Sequence, residues 1–335
     1  MKSILRLPLI FWFFGTLLIY SSVLISPQLF KYSGVISFGV PIVIVLNLIY
    51  LILSIVFKWK SGLVALVLLL AAYPFIEIGI GFSRPKEGSA DSFKVLNYNI
   101  KRYHLPKSDD DRIALANWIL ESDADVICLQ EFAYGSIYSK TLKSSSKYRT
   151  HFGGYANSFA ILSKFPIISS GQMFQDDHAN NVIYVDLKIK SDTIRVYNIH
   201  LESMGIDPEK IQSTEGIKRE YESITKKFLS ANQERSRQVE LLIEGADTIK
   251  YPKLLVGDFN DVPFSYNYFQ FRSKFKNAFE EAGSGFGITY NGKIPFLRID
   301  NQFYSDGIKA LSLETINNVY YSDHFPLIGN YEITR

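Results

Sequence analysis

Five short segments end apolar runs in side chains that bind metals or move protons: Tyr98-Asn99-Ile100, Leu129-Gln130-Glu131, Asn198-Ile199-His200-Leu201, Gly257-Asp258-Phe259-Asn260 and Ser322-Asp323-His324. They supply carboxylates, amides and imidazoles from points more than two hundred residues apart. Gathered at one place, such groups can hold a hard cation and act on a phosphoryl group. No single segment supports that chemistry; the set does.

Strand periodicity predicts how each segment presents its groups. Side chains at i and i+2 share a face, so Asn97 with Asn99, Asn198 with His200, Asp258 with Asn260, and Arg298 with Asp300 are expected to point the same way. Polar pairs on an apolar strand are costly unless they meet partners. An imidazole beside a carboxylate, as in Asp323-His324, suits proton transfer or a charge-assisted contact to a phosphate oxygen. Oxygen ligands of low charge favour Mg2+ or Mn2+ over zinc. Read residue by residue, the same groups also suit plainer roles. Asn99 fits a turn, Asp258 and Asn260 an Asx turn, and Arg298 with Asp300 a surface ion pair.

In this order the segments resemble the endonuclease/exonuclease/phosphatase superfamily, over roughly residues 92 to 335. The resemblance implies an α/β fold, the deoxyribonuclease I-like four-layer αββα sandwich, with its site at one end. It makes Glu131 the metal-binding glutamate, Asn99 its support, directly or through water, and Asp323 a group near the metal. Asp258 would orient or deprotonate the attacking water and Asn260 would contact the phosphate. Asp300 would orient His324, and His200 would polarise the phosphate or protonate the leaving oxygen. The implied cofactor is Mg2+ or Mn2+. The implied reaction is in-line attack of water on a phosphate ester, whether nucleic acid, lipid head group or small phosphoester.

Alternating elements must carry these groups. Strands are expected at Phe93 to Ile100, Asp125 to Glu131, Phe159 to Leu162, Val182 to Ile189, Thr193 to Leu201 and Tyr251 to Phe259. Asp109-Asp110-Asp111 can cap a helix that buries Ile113, Ala116, Trp118, Ile119 and Leu120, and residues 208 to 246 read as helical. The stretch from Glu202 to Asn232, with its Met204-Gly205-Ile206-Asp207 turn, is expected as a lid or a membrane-facing surface. Glycines at 283 to 287 lack the helix and lysine of a phosphate loop, and are expected to precede a strand pair carrying Arg298 and Asp300.

The first eighty-two residues differ in kind from the rest. Leu7 to Ile25, Val35 to Phe57 and Leu63 to Phe82 are each about long enough to cross a ~30 Å hydrocarbon layer as a helix. The expected organisation is a membrane anchor of three transmembrane helices over 1–82, a linker over 83–91 and a catalytic domain over 92–335. Pro41, Asn47 and Glu77 interrupt the spans; neighbouring helices can absorb the first two, and Glu77 lies near enough to an end to snorkel. Lys2, Arg6, Lys58 and Lys60 fall on one side, whereas the first loop carries only Lys31. That bias favours a cytoplasmic N-terminus and a multi-pass protein whose catalytic domain is extracytoplasmic.

The formal charge is +3, of which +4 lies in residues 1–82, so the catalytic part is about −1. A protein gripping long nucleic acid usually has a positive footprint, which weakens a nuclease reading. The single cysteine, Cys128, lies in an expected core strand and can form no intramolecular disulfide. Two other classes are disfavoured. A binding module on a degenerate fold is at odds with intact acid, amide and imidazole positions; a transporter or scaffold is at odds with the few polar groups in the spans.

Overall fold

A computed structural model describes residues 7–86, 88–89, 91–101, 108–174, 180–204, 217–292 and 294–334. In chain order α1 (Leu7–Ser21), α2 (Ser33–Ser37), α3 (Gly39–Val56), α4 (Gly62–Ala71) and α5 (Tyr73–Gly79) come first. Then follow β1 (Gly81–Phe82), β2 (Ser92–Asn99), α6 (Asp109–Glu121), β3 (Val126–Gln130), α7 (Ile137–Ser144), β4 (Arg149–Gly153), β5 (Phe159–Ser163), β6 (Ile167–Gln172), β7 (Asn181–Ile189) and β8 (Asp192–His200). The last stretch holds α8 (Ile217–Asp247), β9 (Lys253–Asp258), α9 (Tyr266–Lys274), β10 (Lys276–Asn277), α10 (Ala278–Ala282), β11 (Ser284–Gly285), β12 (Asp300–Tyr304), β13 (Ile308–Thr315) and β14 (Leu327–Ile333). The chain divides into two compact units. One comprises Met1–Gly79, Met204–Arg237 and Pro263–Gln270; the other comprises Ile80–Ser203, Gln238–Val262 and Phe271–Arg335.

In the first unit, Leu7–Leu24 and Ser33–Val56 are apolar and long enough to cross a membrane. The third expected span is a pair, α4 and α5, bent by 57°. Pro74 explains the break: it lacks an N–H and its ring crowds the carbonyl four residues back, so the first helix stops at Ala71. The end of that expected span is not helical at all, because Gly81 and Phe82 form β1. Asn47 is buried and satisfied, accepting from Trp12 Nε1 at 3.0 Å and donating to the Val43 carbonyl at 2.7 Å. Pro41 sits in the first turn of α3, where an N–H is not required.

The same unit contains the first part of α8. Phe228 meets Phe38 with ring centroids 5.3 Å apart, and Phe75 meets Phe264 and Phe269 at 6.5 and 5.7 Å. Gln28 Nε2 donates to the Gln233 carbonyl at 2.7 Å, and Gln233 Nε2 donates back to the Pro27 carbonyl at 3.2 Å. The later part of the Glu202–Asn232 stretch therefore packs on the apolar helices. Residues 205–216, including most of the expected Met204 turn and the start of the expected helix, lie outside the described residues.

The second unit holds two six-stranded sheets, ordered β10-β12-β9-β8-β7-β6 and β13-β14-β2-β3-β5-β4. Each contains one parallel pair among antiparallel neighbours, β8 with β9 and β2 with β3. Parallel neighbours need a crossover, and α8 and α6 supply it in the two cases. Phe93, Val95, Val126, Cys128 and Ile161 from one sheet pack against Ile183, Val185, Val196, Leu254 and Val256 from the other. On the outer faces, Leu96, Ile127 and Leu129 cover Leu115, Ile119 and Leu142 of α6 and α7, while Phe271 of α9 stacks on Phe303 with centroids 5.3 Å apart. This is the α/β sandwich of two sheets and flanking helices that the sequence implied.

One local expectation changes. Ser108, not the aspartates, caps α6: its hydroxyl accepts from Asp111 N at 3.1 Å and the Asp111 carboxylate reaches back to Ser108 N, a reciprocal capping box. The expected linker is tied down, with Ser83 N donating to the Gly283 carbonyl at 3.1 Å and Lys86 N to the Leu311 carbonyl at 3.0 Å.

Candidate active site

Because each sheet has a parallel pair, the pair's C-terminal ends emerge together. Asn99 ends β2, Glu131 follows β3, His200 ends β8 and Asp258 ends β9. Strand register then aligns three of the groups. His200 is opposite Asp258 across β8 and β9, and Asp258 is opposite Asp300 across β9 and β12. Gly257 permits this alignment: its φ is 152°, and a Cβ there would lie 2.0 Å from the Ile199 carbonyl oxygen.

Two carboxylates directly opposite each other repel. His324 resolves that conflict, with Nδ1 2.8 Å from Asp300 Oδ2 and Nε2 3.7 Å from Asp258 Oδ2. Burial alone would lower the pKa of this imidazole, but the Asp300 and Asp258 carboxylates outweigh it and raise the value to about 10. Burial also raises the Asp300 carboxyl, against the pull of His324. Asn99 joins the two sheets' carboxylates: its Nδ2 donates to Asp258 Oδ2 at 2.9 Å and to Glu131 Oε1 at 3.3 Å. Asp323 faces Lys101 Nζ at 2.6 Å. Burial works against the Lys101 ammonium, but Asp323 outweighs it and holds the amine above its ordinary value.

Asp258 and Asn260 do not share a strand face as alternation suggested. The strand stops at Asp258, and Asn260 sits in the left-handed region at φ 50°, where Asn is tolerated better than most residues. Asp258 Oδ1 accepts from Asn260 N at 2.8 Å, so the Asx turn forms beside the site, and Asn260 Nδ2 donates to the Leu201 carbonyl at 3.0 Å. Arg298 likewise precedes β12 rather than lying on it, and its guanidinium stacks 3.9 Å over the Phe279 ring. Asp300 therefore spends its charge on His324, and the two are buried rather than a surface ion pair.

Beneath these groups lies a buried polar layer. Gln130 Nε2 donates to Asn97 Oδ1 at 2.8 Å and to Asn198 Oδ1 at 2.6 Å, and Asn198 Nδ2 donates to the Leu129 and Ala160 carbonyls at 3.0 Å. Sequence reasoning missed Gln130, although Val126, Cys128 and Gln130 alternate on one face and so aim it inward. It also missed Lys101 and Tyr290, whose ring lies 5.5 Å from that of His324; a loop tyrosine gives no local signal.

The donor set fits a hard divalent cation. Glu131, Asp258, Asp300 and Asp323 stand against Lys101 and His324, leaving the centre negative. Ligand atoms of Asp258, Asp300 and His324 also lie within 4.8 Å of one another, but Asp300 and His324 are already bonded to each other. Glu131 is the more open carboxylate, 31 % exposed, held at an uncommon φ of 49°. His200 Nε2 is 3.9 Å from Glu131 and 3.7 Å from Asp258, beyond hydrogen-bond reach, and His200 Nδ1 is buried with no protein partner among the described residues. A buried ring nitrogen without a partner is costly and points to a ligand or water.

Fold and site together define a two-sheet α/β sandwich with an acid, amide and imidazole centre at one end of its parallel strands. The chain belongs to the Endonuclease/Exonuclease/phosphatase family, which matches residues 96–324. Residues 2–78 match a domain of unknown function (DUF8431). No curated protein matches the chain. Among solved structures, it is similar to the catalytic domain of human Nocturnin with a bound sulfate anion, at 19 % identity and a TM-score of 0.55 over 76 % of this chain and all of that one. It is similar to a humanized D. rerio TDP2, at 15 % identity and a TM-score of 0.56, covering 72 % of this chain and 99 % of that one. An endonuclease/exonuclease/phosphatase from Bacteroides vulgatus aligns at 15 % identity and a TM-score of 0.55, over 72 % and 99 %. At such identities the likeness is one of fold.

Proposed function

We propose that this chain is a membrane-tethered phosphoesterase that uses Mg2+ or Mn2+ and hydrolyses its substrate by in-line attack of water. The observation that carries the reading is the convergence of Asn99, Glu131, His200, Asp258, Asp300 and His324 on one centre with an excess of carboxylates. Glu131 and Asn99 would hold the ion, which when bound offsets charge on the phosphoryl group. Asp258, whose Oδ2 lies within 4 Å of the Asn99 amide and both imidazoles, would orient the attacking water and take its proton. His324, fixed by Asp300, presents a charged N–H to a phosphoryl oxygen, and His200 acts on the same group or on the leaving oxygen. Asn260, held beside Asp258 by the Asx turn, would contact the phosphate.

Contacts within the first unit support three crossings. Pro27 and Gln28, in the loop after α1, bond to Gln233 of α8, and α8 follows all the apolar helices in the chain. If α1 and α3 cross, these contacts favour a return of the chain to the side of that loop through the bent α4–α5 pair. With Lys58 and Lys60 on the opposite side, the charge bias supports an extracytoplasmic position for the catalytic part. The nuclease version is supported by the D. rerio TDP2 neighbour complexed with single strand DNA product, and opposed by the −1 charge beyond Phe82.

The test uses the full chain in vesicles, since truncation would strip partners from Phe228 and Phe264. DNA, RNA, phospholipid and phosphomonoester are offered with Mg2+ or Mn2+, with Glu131→Gln as the blank. Turnover of one class, absent in the blank, is expected. Full metal-dependent activity in Glu131→Gln or His324→Ala would sink the reading.

A further inference from the structure

Two residues past Asn99 the chain sets a lysine against Asp323, with Lys101 Nζ 2.6 Å from Asp323 Oδ2. An exposed pair of this kind is usually worth little. Here the Asp323 side chain is 15 % exposed and that of Lys101 42 %, so the carboxylate is mostly withdrawn from water while the ammonium reaches it. The pair is also fixed at both ends. Lys101 N donates to Asn99 Oδ1 at 3.0 Å, and its φ of 43° lies in a region that L side chains adopt only at a cost. The Ser322 hydroxyl donates to the Asn99 carbonyl at 2.7 Å, and Asn291 N donates to the Asp323 carbonyl at 2.6 Å. Backbone strain and three hydrogen bonds thus hold the ammonium, Asp323 and Asn99 together at the edge of the centre.

An ammonium has three donors, of which Asp323 takes one, the only side-chain partner of Lys101 Nζ among the described residues. A divalent ion on Asp323 would have to displace this amine or sit beside a like charge. We propose that the Lys101 ammonium takes the place a second divalent ion would hold at Asp323 and offers its remaining N–H groups to a phosphoryl oxygen, so that the centre works with one metal ion. The inference rests on the phosphoesterase reading above. It makes Asp323 the group that positions Lys101, in place of the metal-adjacent role implied by the resemblance.

The experiment counts Mn2+ bound to the full chain in detergent, by the electron paramagnetic resonance signal of the free ion. One ion is expected for the unaltered chain, loss of that ion in Glu131→Gln, and two ions in Lys101→Asp. With bis(4-nitrophenyl) phosphate as probe, Lys101→Met should lower kcat/KM by roughly tenfold or more, the scale of one charge-assisted hydrogen bond, and Lys101→Arg should restore most of it. Two ions on the unaltered chain would overturn the inference and leave the phosphoesterase reading standing; no ion at millimolar Mn2+ would overturn that reading itself. If Lys101→Asp does not fold, the count on the unaltered chain and on Lys101→Arg decides, and a second ion on either counts against the proposal.

Discussion

At the scale of single residues, the centre is a problem of adjacent charges solved by one imidazole. His324 is held between Asp300 and Asp258, and its pKa is raised from 6.5 to about 10. A raised folded-state value stabilises the fold fully below pH 6.5, and that contribution is lost as pH rises through about 10. In chelator, the melting temperature of the unaltered chain should therefore fall more steeply between these limits than that of His324→Gln. Gly257 is a second single point of dependence. A Cβ 2.0 Å from the Ile199 carbonyl forces β8 and β9 apart. Gly257→Ala is expected to lose roughly 2 kcal/mol or more of stability in denaturant and to lose activity with it. The positions of Asn99, Glu131, His200 and Asp258 were legible because each ends an apolar run, whereas Asp300 begins β12 and was singled out by the resemblance. Lys101, Gln130 and Tyr290 were not, since their meaning comes from partners distant in sequence: Asp323, the Asn97–Asn198 pair and His324.

At the scale of elements, the site follows from placing one parallel pair in each sheet. Gln130 ties the two pairs together beneath the reacting groups, accepting no apolar substitute without stranding Asn97 and Asn198. Gln130→Leu is expected to cost about 2–4 kcal/mol, measured by urea unfolding, as two buried acceptors lose their donor. Periodicity revealed β2, β3, β7, β8 and β9, whose buried faces are long and apolar. It did not reveal β4 or β6, edge strands whose residues are half-buried or exposed on both faces and so carry no alternation. The bend between α4 and α5 was legible in Pro74 but hidden by the uniform apolarity around it.

At the scale of the whole molecule, the apolar helices and the first part of the polar α8 are partners within one unit, which no composition boundary announces. In the topology we propose, α3 crosses the membrane, so a cysteine at Lys31 and one at Lys58 should lie on opposite sides. In intact cells an impermeant maleimide should label Lys31→Cys and spare Lys58→Cys; labelling of both from one side would exclude the arrangement. The experiment needs no altered background, because Cys128 is fully buried in β3.

That buried thiol has a wider consequence. Cys128 lies between the sheets with nothing to pair with, and no sulfur stands among the groups of the centre. The fold has no crosslink for a reductant to break, and its one thiol is closed to oxidants. The sandwich should hold the same shape in reducing and in oxidising surroundings.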